Sequence, residues 1–367
     1  MTMYKFSAAN ERIKREYLLY QREAHGRSEQ TIDQIAAAIA QFERFTRARD
    51  FKAFKPVNAT EFKRYLLEED SAVTGKPRSK STVSAILKTL RNFFIWLAGR
   101  PGYRSRLSYH DADYFSLSAK DERIAHTARE PRVPELEGVE RTIDAMPFAT
   151  AVEKRDRALI AFTLITGARI NALRTLRLSH VDWEREVVFQ DAREVDTKNS
   201  KTITTPFYPI SEKAKAIVGD WINYLKNELG RGDHDVLFPP VSVARGSRGF
   251  EASGFGYNSY QSDGPLRNVF KSAFAAVGLP DYNPHSFRKL IANIGASRNL
   301  NAAELKAWSM GLGHEHLGTM MQSYVVIGAA EQTRLMREIG EAPGKDDEEA
   351  AVAAFKELLK AKKGLAA

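Results

Sequence analysis

The chain contains no cysteine. Disulfides, thiol nucleophiles and cysteine-held zinc are therefore excluded, which fits a reducing compartment. It has no run of about 20 apolar residues such as a membrane-spanning helix needs. Its opening, MTMYKFSAANERIKREY, lacks the apolar stretch of a secretory signal. No internal repeat is visible, and no cluster of acidic residues and histidines shows metal-ligand spacing. The expectation is a cytoplasmic protein without resident metal or cofactor and with no membrane partner.

What is present is enough apolar residue for two cores. The chain has 367 residues, 43% of them apolar and 28% charged, a globular balance at a length that suits two domains. The net charge is +9 and is unevenly placed. Residues 1–130 hold 24 Lys and Arg against 16 Asp and Glu, and the remainder 31 against 30, so the first third carries +8 of the excess. A basic first domain points to an anionic partner such as nucleic acid.

The first third reads as helices. Ile32, Ile35, Ile39, Phe42 and Phe45 recur at steps of three and four over 28–49, behind Ser28 as a starting cap. Asn58 with Glu61 three positions on reads as the cap of a second helix, NATEFKRYLLEE. A third, STVSAILKTLRNFFIWLAG, turns Val83, Ile86, Leu87, Leu90, Phe93, Phe94 and Leu97 inward. With a helix near 9–24 these form an all-helical bundle. Before the third helix, TGKPRSKST sets Lys76, Arg78 and Lys80 among small hydroxyl residues at a helix start. That composition suits phosphates, and equally suits a solvated loop.

Helical periodicity fades over 99–132. Boundaries are expected at 1–118 for the first domain, 119–133 for a linker, 134–340 for a second domain and 341–367 for a tail helix. The second domain begins with helices near 135–147 and 153–166, the latter stopped by Gly167. EVVFQDAREVD and KTITTPFYPIS alternate like two short strands joined through TKNSK, and a helix follows at 211–229. The Gly- and Ser-rich stretch 241–264 reads as a long loop, and helices resume from 265. The fold class expected is mainly α with a small antiparallel sheet in the C-terminal domain.

Within that second domain, Arg169 follows Gly167 at the start of a short helix, Lys198 lies in the hairpin turn, His285 and Arg288 sit in PHSFRK, and His314 and Tyr324 sit in LGHEHLGTMMQSY. Singly, each has an ordinary structural explanation as a surface arginine, a turn lysine or a satisfied histidine. Their order and local contexts form one series. TGARINALRTLRLSHVD, DTKNSK, HSFR and LGH followed by the tyrosine resemble, box by box, the tyrosine recombinase or phage integrase family over roughly residues 10–335.

The resemblance implies a helical core-binding domain followed by a catalytic domain, with double-stranded DNA bearing specific recombination sites as substrate. Arg169 and Arg288 would clamp the non-bridging oxygens of the scissile phosphate, a task suited to a forked and non-titrating guanidinium. Lys198 would protonate the leaving 5′ oxygen. His285 would accept or orient a proton, and His314 would donate to the phosphate oxygen. Tyr324 would attack, leaving a 3′-phosphotyrosyl ester and a free 5′ hydroxyl. Because the ester conserves the bond energy, rejoining would need no ATP, and the side-chain cations would supply the positive charge that otherwise comes from a metal ion. Strand exchange through a Holliday junction would proceed in a homo-tetramer on synapsed DNA, the free protein being a monomer or weak dimer, with accessory proteins setting direction. The host would be a bacterial cytosol or nucleoid, or a phage. Candidate DNA contacts are Lys76, Arg78, Lys80, Lys88, Arg91, Lys201 and Lys289.

The chain departs from the family pattern in three places. Ala172 stands where the family commonly has an acidic residue, and Lys289 where it often has histidine. His314 precedes Tyr324 by ten positions rather than nine, which makes His316 its rival. Tyr208, Tyr257, Tyr260 and Tyr282 are rivals for Tyr324. A type IB topoisomerase shares this residue set, and an inactive DNA-binding protein of the same fold is the alternative of a different class.

Overall fold

In the computed structural model the described residues are 7–71, 74–127, 132–197, 201–246, 249–298, 300–313, 332–334, 336 and 337. The chain divides into two compact units, Met1–Arg129 and Glu130–Ala367. Among the described residues no helix is long and apolar enough to cross a membrane.

Among its described residues the first unit is built from helices joined by turns, with one isolated antiparallel bridge between Asp70 and Pro77. It contains α1 (Ala8–Glu23), α2 (Glu29–Phe45), α3 (Pro56–Glu68), α4 (Lys80–Ala98) and α5 (Ala119–His126), with a 3-10 segment at Tyr109–Tyr114. The stripes expected from spacing are buried: Ile32, Ile39 and Phe42 on α2, and Val83, Leu87, Leu90, Phe93, Phe94 and Leu97 on α4. Phe42 meets Phe62, Phe94 and Phe115 edge-on at 5.1–5.5 Å, the geometry aromatic quadrupoles favour.

Two expectations need correction here. Asn58 is not the first cap of α3. Pro56, with its preset φ, starts the helix earlier, and Asn58 instead accepts the Lys55 backbone N–H at 3.0 Å. The stretch expected as linker, 119–133, opens with a helix, because Ser118 caps α5 and its acids find partners on α4. Lys80 pairs with Asp121, and Ser84 donates to Glu122 at 2.9 Å.

The second unit is built around α7 (Ala151–Thr166), whose last nine residues, 158–166, are all buried. Around it come α6 (Leu136–Ala145), α8 (Ile170–Thr175), β1 (Val181–Asp182), β2 (Val187–Gln190), β3 (Ile203–Pro206) and α9 (Glu212–Asn223). They are followed by β4 (Val241–Gly246), β5 (Gly249–Phe255), α10 (Gly264–Ala276), α11 (Pro284–Ser297) and α12 (Ala302–Gly311). The strands β1, β2 and β3 form an antiparallel sheet in that order, with Val188 opposite Thr205 and Gln190 opposite Ile203. The mainly helical fold with small antiparallel sheets matches expectation.

The stretch 241–264 does not. Its first part is a hairpin, β4 against β5, with a bulge between Ser242 and Val243. Glycine and serine obscured the strands because their pairing is made by the backbone. The hairpin base is fixed by Arg231 Nη2 donating to Phe255 O at 2.8 Å and by the Phe255 ring, 6.0 Å from Trp221.

Gly167 ends α7 in the left-handed conformation, φ 58°, and its N–H closes on Thr163 O at 2.9 Å. A Cβ there would lie 2.9 Å from both Ile291 Cδ1 and Leu312 Cδ2. Gly167→Ala should therefore cost roughly 1–2 kcal/mol for the backbone and about 1–3 kcal/mol more for overpacking. Denaturant titration reads this directly, and an unchanged midpoint would contradict it.

Candidate active site

Arg169 occupies the cap position of α8 in extended conformation, with its carbonyl accepting Leu173 N–H at 2.9 Å, and it is half-buried. It stands two residues beyond the Gly167 turn. His285 and Arg288 share one face of α11 a turn apart. The helix starts where Asn283 Oδ1 accepts the N–H groups of His285 and Ser286 at 2.9 and 3.3 Å. His285 is exposed, whereas Arg288 is 3% exposed.

Buried arginine needs acceptors, and Arg288 finds them on two helix ends. Its Nη1 donates to Gly167 O at 2.5 Å, and its Nη2 donates to Leu312 O. The last carbonyls of a helix have no intrahelical partner and carry the negative end of the helix dipole. One guanidinium thus joins the C-terminus of α7, from which Arg169 follows, to that of α12, from which residue 314 follows. The planar fork reaches both carbonyls from two separate nitrogens held on a rigid frame, whereas a lysine ammonium offers its donors from a single atom.

The end of α12 is held by β3 as well. Tyr208 Oη donates to Trp308 O at 2.7 Å and Thr205 Oγ1 donates to Gly311 O at 2.9 Å. The Tyr208 N–H donates to Ile165 O on α7 at 2.7 Å. Trp308 itself donates to Ile291 O on α11 at 2.9 Å. The approach is close: a Cβ on Gly311 would come within 2.5 Å of Tyr208 Oη. Nothing in local spacing reveals Thr205, Tyr208 or Trp308, whose partners on the far helices lie up to 106 positions away.

Of the six expected reaction residues, Arg169, His285 and Arg288 lie in this region of the second unit, around the ends of α7, α11 and α12. Lys198, His314 and Tyr324, together with His316 and the tail 341–367, lie outside the described residues. The rivals of Tyr324 are all described. Tyr208 is 3% exposed, its hydroxyl is committed to Trp308 O, and burial pushes its pKa well above the ordinary tyrosine range against the pull of Arg288. Tyr260 is likewise shifted up by burial and points to Pro239 O at 3.4 Å. The Tyr257 ring lies under the Arg231 guanidinium at 3.8 Å, and Tyr282 packs edge-on against Phe274 at 5.1 Å. Ala172 is 1% exposed in the apolar core, a place unsuited to a carboxylate.

The expected DNA contacts divide. Lys76 and Lys88 are exposed, and Lys201 and Lys289 are half-buried. Arg78 donates to Glu69 O at 2.6 Å, Lys80 pairs with Asp121, and Arg91 bonds Asp113 at 2.7 Å. Of these only Arg91–Asp113 is an exposed ion pair, a kind worth about 0–1 kcal/mol. Among the described residues no group of three His, Asp or Glu is placed to hold a metal ion.

The fold matches that of DNA-bound recombinases. A XerH site-specific recombinase, crystallised with palindromic difH substrate as a post-cleavage complex, superposes with a TM-score of 0.58 at 16% identity, covering 91% of this chain and 85% of that one. A lambda integrase dimer bound to a COC′ core site gives 0.57 at 16% identity, covering 85% and 94%. In sequence, the tyrosine recombinase XerC of Bacillus licheniformis is 27% identical over 188 residues, 51% of this chain and 55% of that protein. The chain thus spans about half the length of that relative. The tyrosine recombinase XerD of Vibrio vulnificus is 25% identical over 265 residues, covering 71% and 72%. The model of the phage integrase family matches residues 136–330, just over half of the chain, and the chain belongs to that family.

Proposed function

We propose that this protein is a site-specific DNA recombinase that breaks and rejoins strands through Tyr324. The observation that carries the reading is the bridge made by Arg288, which ties the turn before Arg169 to the turn before His314. Phosphoryl transfer depends on positioning and charge neutralisation, and this bridge supports both. Arg169 and Arg288 hold the non-bridging oxygens of the scissile phosphate. His314 donates to the same phosphate as charge builds on it, and His285, on the solvent side, handles or orients a proton. Lys198 protonates the departing 5′ oxygen. Tyrosine, with an ordinary pKa near 10, loses its proton during attack, assisted by these cations.

In this reading the substrate is double-stranded DNA with specific sites, and the working form on synapsed DNA is a homo-tetramer in the bacterial cytosol. The DNA-bound state of the structural neighbours supports that partner. The basic first unit supplies affinity. Replacing Lys76, Arg78 and Lys80 together should reduce the salt dependence of binding by roughly 0.9 in slope for each phosphate that is no longer neutralised. Fluorescence anisotropy across a salt series measures it, and an unaltered slope would mean that these side chains do not meet phosphate.

The enzyme reading is tested by selecting bound duplexes from a randomised pool and nicking them beside the cleavage position, so that the released fragment diffuses away. A covalent, protease-sensitive adduct is expected. Tight binding without an adduct on any selected duplex would favour an inactive DNA-binding protein.

A further inference from the structure

β2, β3 and the end of α12 are joined by a buried relay of two hydrogen bonds. Gln190 Nε2 on β2 donates to Thr205 Oγ1 at 3.0 Å, and Thr205 Oγ1 donates to Gly311 O at 2.9 Å. Gln190 is 5% and Thr205 2% exposed, so water does not substitute for either partner. A hydroxyl has one hydrogen and two lone pairs. With the amide donating into one lone pair, the hydrogen of Thr205 is directed to the carbonyl. Tyr208 Oη, just beyond the end of β3, adds a second bond to the same helix end at Trp308 O.

The relay therefore connects two segments that the proposed chemistry needs in register. β2 and β3 are the strands that precede and follow Lys198 in the sequence. Gly311 lies three residues before His314. The carbonyl next to Gly311 O, that of Leu312, is the one held by Arg288. A hairpin free to slide on α12 would shift against the helix end that Arg288 grips.

We propose that Thr205 is a positioning residue, whose hydroxyl fixes the β2–β3 hairpin against the end of α12 that Arg288 also grips. The inference rests on the recombinase reading above. It concerns residues that do not touch the substrate, and it predicts a loss in reaction rate separable from DNA binding.

The experiment compares Thr205→Val, which keeps the shape and removes the donor, with Thr205→Ser, which keeps the hydroxyl. The probe is a duplex selected by the wild-type protein from a randomised pool, nicked beside the cleavage position. Single-turnover adduct formation and equilibrium binding are measured on it. Thr205→Val should slow adduct formation by ~10–100-fold, the scale of a catalytic group displaced by a fraction of an ångström to an ångström. Its binding should stay within about twofold, and Thr205→Ser should recover most of the rate, because the relay needs only the hydroxyl. If Thr205→Val melts before assay, Gln190→Met tests the same relay from its outer end with the same expected split. The inference is overturned if Thr205→Val reacts at the wild-type rate, if Thr205→Ser is as slow as Thr205→Val, or if rate and binding fall together. Absence of any adduct with the wild-type protein would instead overturn the recombinase reading, and the inference with it.

Discussion

Arg288→Ala is expected to abolish the covalent reaction and to destabilise the second unit, whereas Arg169→Ala is expected to abolish the reaction alone. The difference follows from burial. Arg288 is 3% exposed and donates to Gly167 O and Leu312 O. Its removal leaves two carbonyls at buried helix ends without this donor and opens a cavity between α7, α11 and α12. Each orphaned buried acceptor costs about 1–3 kcal/mol, so a loss of roughly 2–6 kcal/mol is expected, a large share of a typical 5–15 kcal/mol stability. Arg169 is half-buried at the cap of a six-residue helix, and water reaches the space its truncation leaves.

In the reaction both changes remove a charge from the proposed transition state, and losing one such donor costs about 10²–10³-fold in rate. For Arg288 the loss should be larger, since the turns before Arg169 and His314 also lose their common tie. Arg288→Lys should recover part of the stability and little of the rate, because a point charge does not span two carbonyls as the fork does. Urea titration alongside single-turnover cleavage separates the effects. An Arg288→Ala protein as stable as wild type would show that the two helix ends do not depend on the bridge.

The second large effect concerns the proposed nucleophile. Tyr324→Phe keeps the ring and removes the oxygen proposed to attack, so no covalent adduct should form while DNA binding persists. Tyr208→Phe is the informative control. Its hydroxyl is buried, hydrogen-bonded to Trp308 O and shifted to high pKa, all of which oppose a role in attack. It should still form the adduct, at a reduced rate because α12 loses one of its holding bonds.

Much of this architecture is legible in the residues themselves. The inward stripes of α2 and α4 follow helical spacing, and the αL turn at Gly167 follows from its place at the end of an apolar helix. The hairpin at 241–255 is not legible, because its strands are rich in glycine and serine, whose backbones pair without an alternating side-chain pattern. The helix at 119–126 is similarly hidden, since its acids are stabilised by α4 residues 38 and 41 positions away. The same distance effect hid the pairing of Lys80 and Arg91, which as sequence read simply as available cations.

In the candidate site, order along the chain pointed to Arg169, His285 and Arg288 but not to what holds them. The helices around them are held by Thr205, Tyr208 and Trp308, which carry no motif. Their partners on other elements are between 17 and 106 residues distant, so only the fold brings them together. Arg288 reads in the sequence as a candidate phosphate ligand and not as the tie between two helix ends, which the structure shows.

Peptide mapping of the adduct tests the central claim most directly. Wild-type protein trapped on a nicked, selected duplex should, after proteolysis and nuclease trimming, yield a single phosphonucleotide-bearing peptide whose modified residue is Tyr324, and Tyr324→Phe should yield none. A modification at Tyr208, Tyr257, Tyr260, Tyr282 or a serine, or an adduct that persists in Tyr324→Phe, would contradict the account.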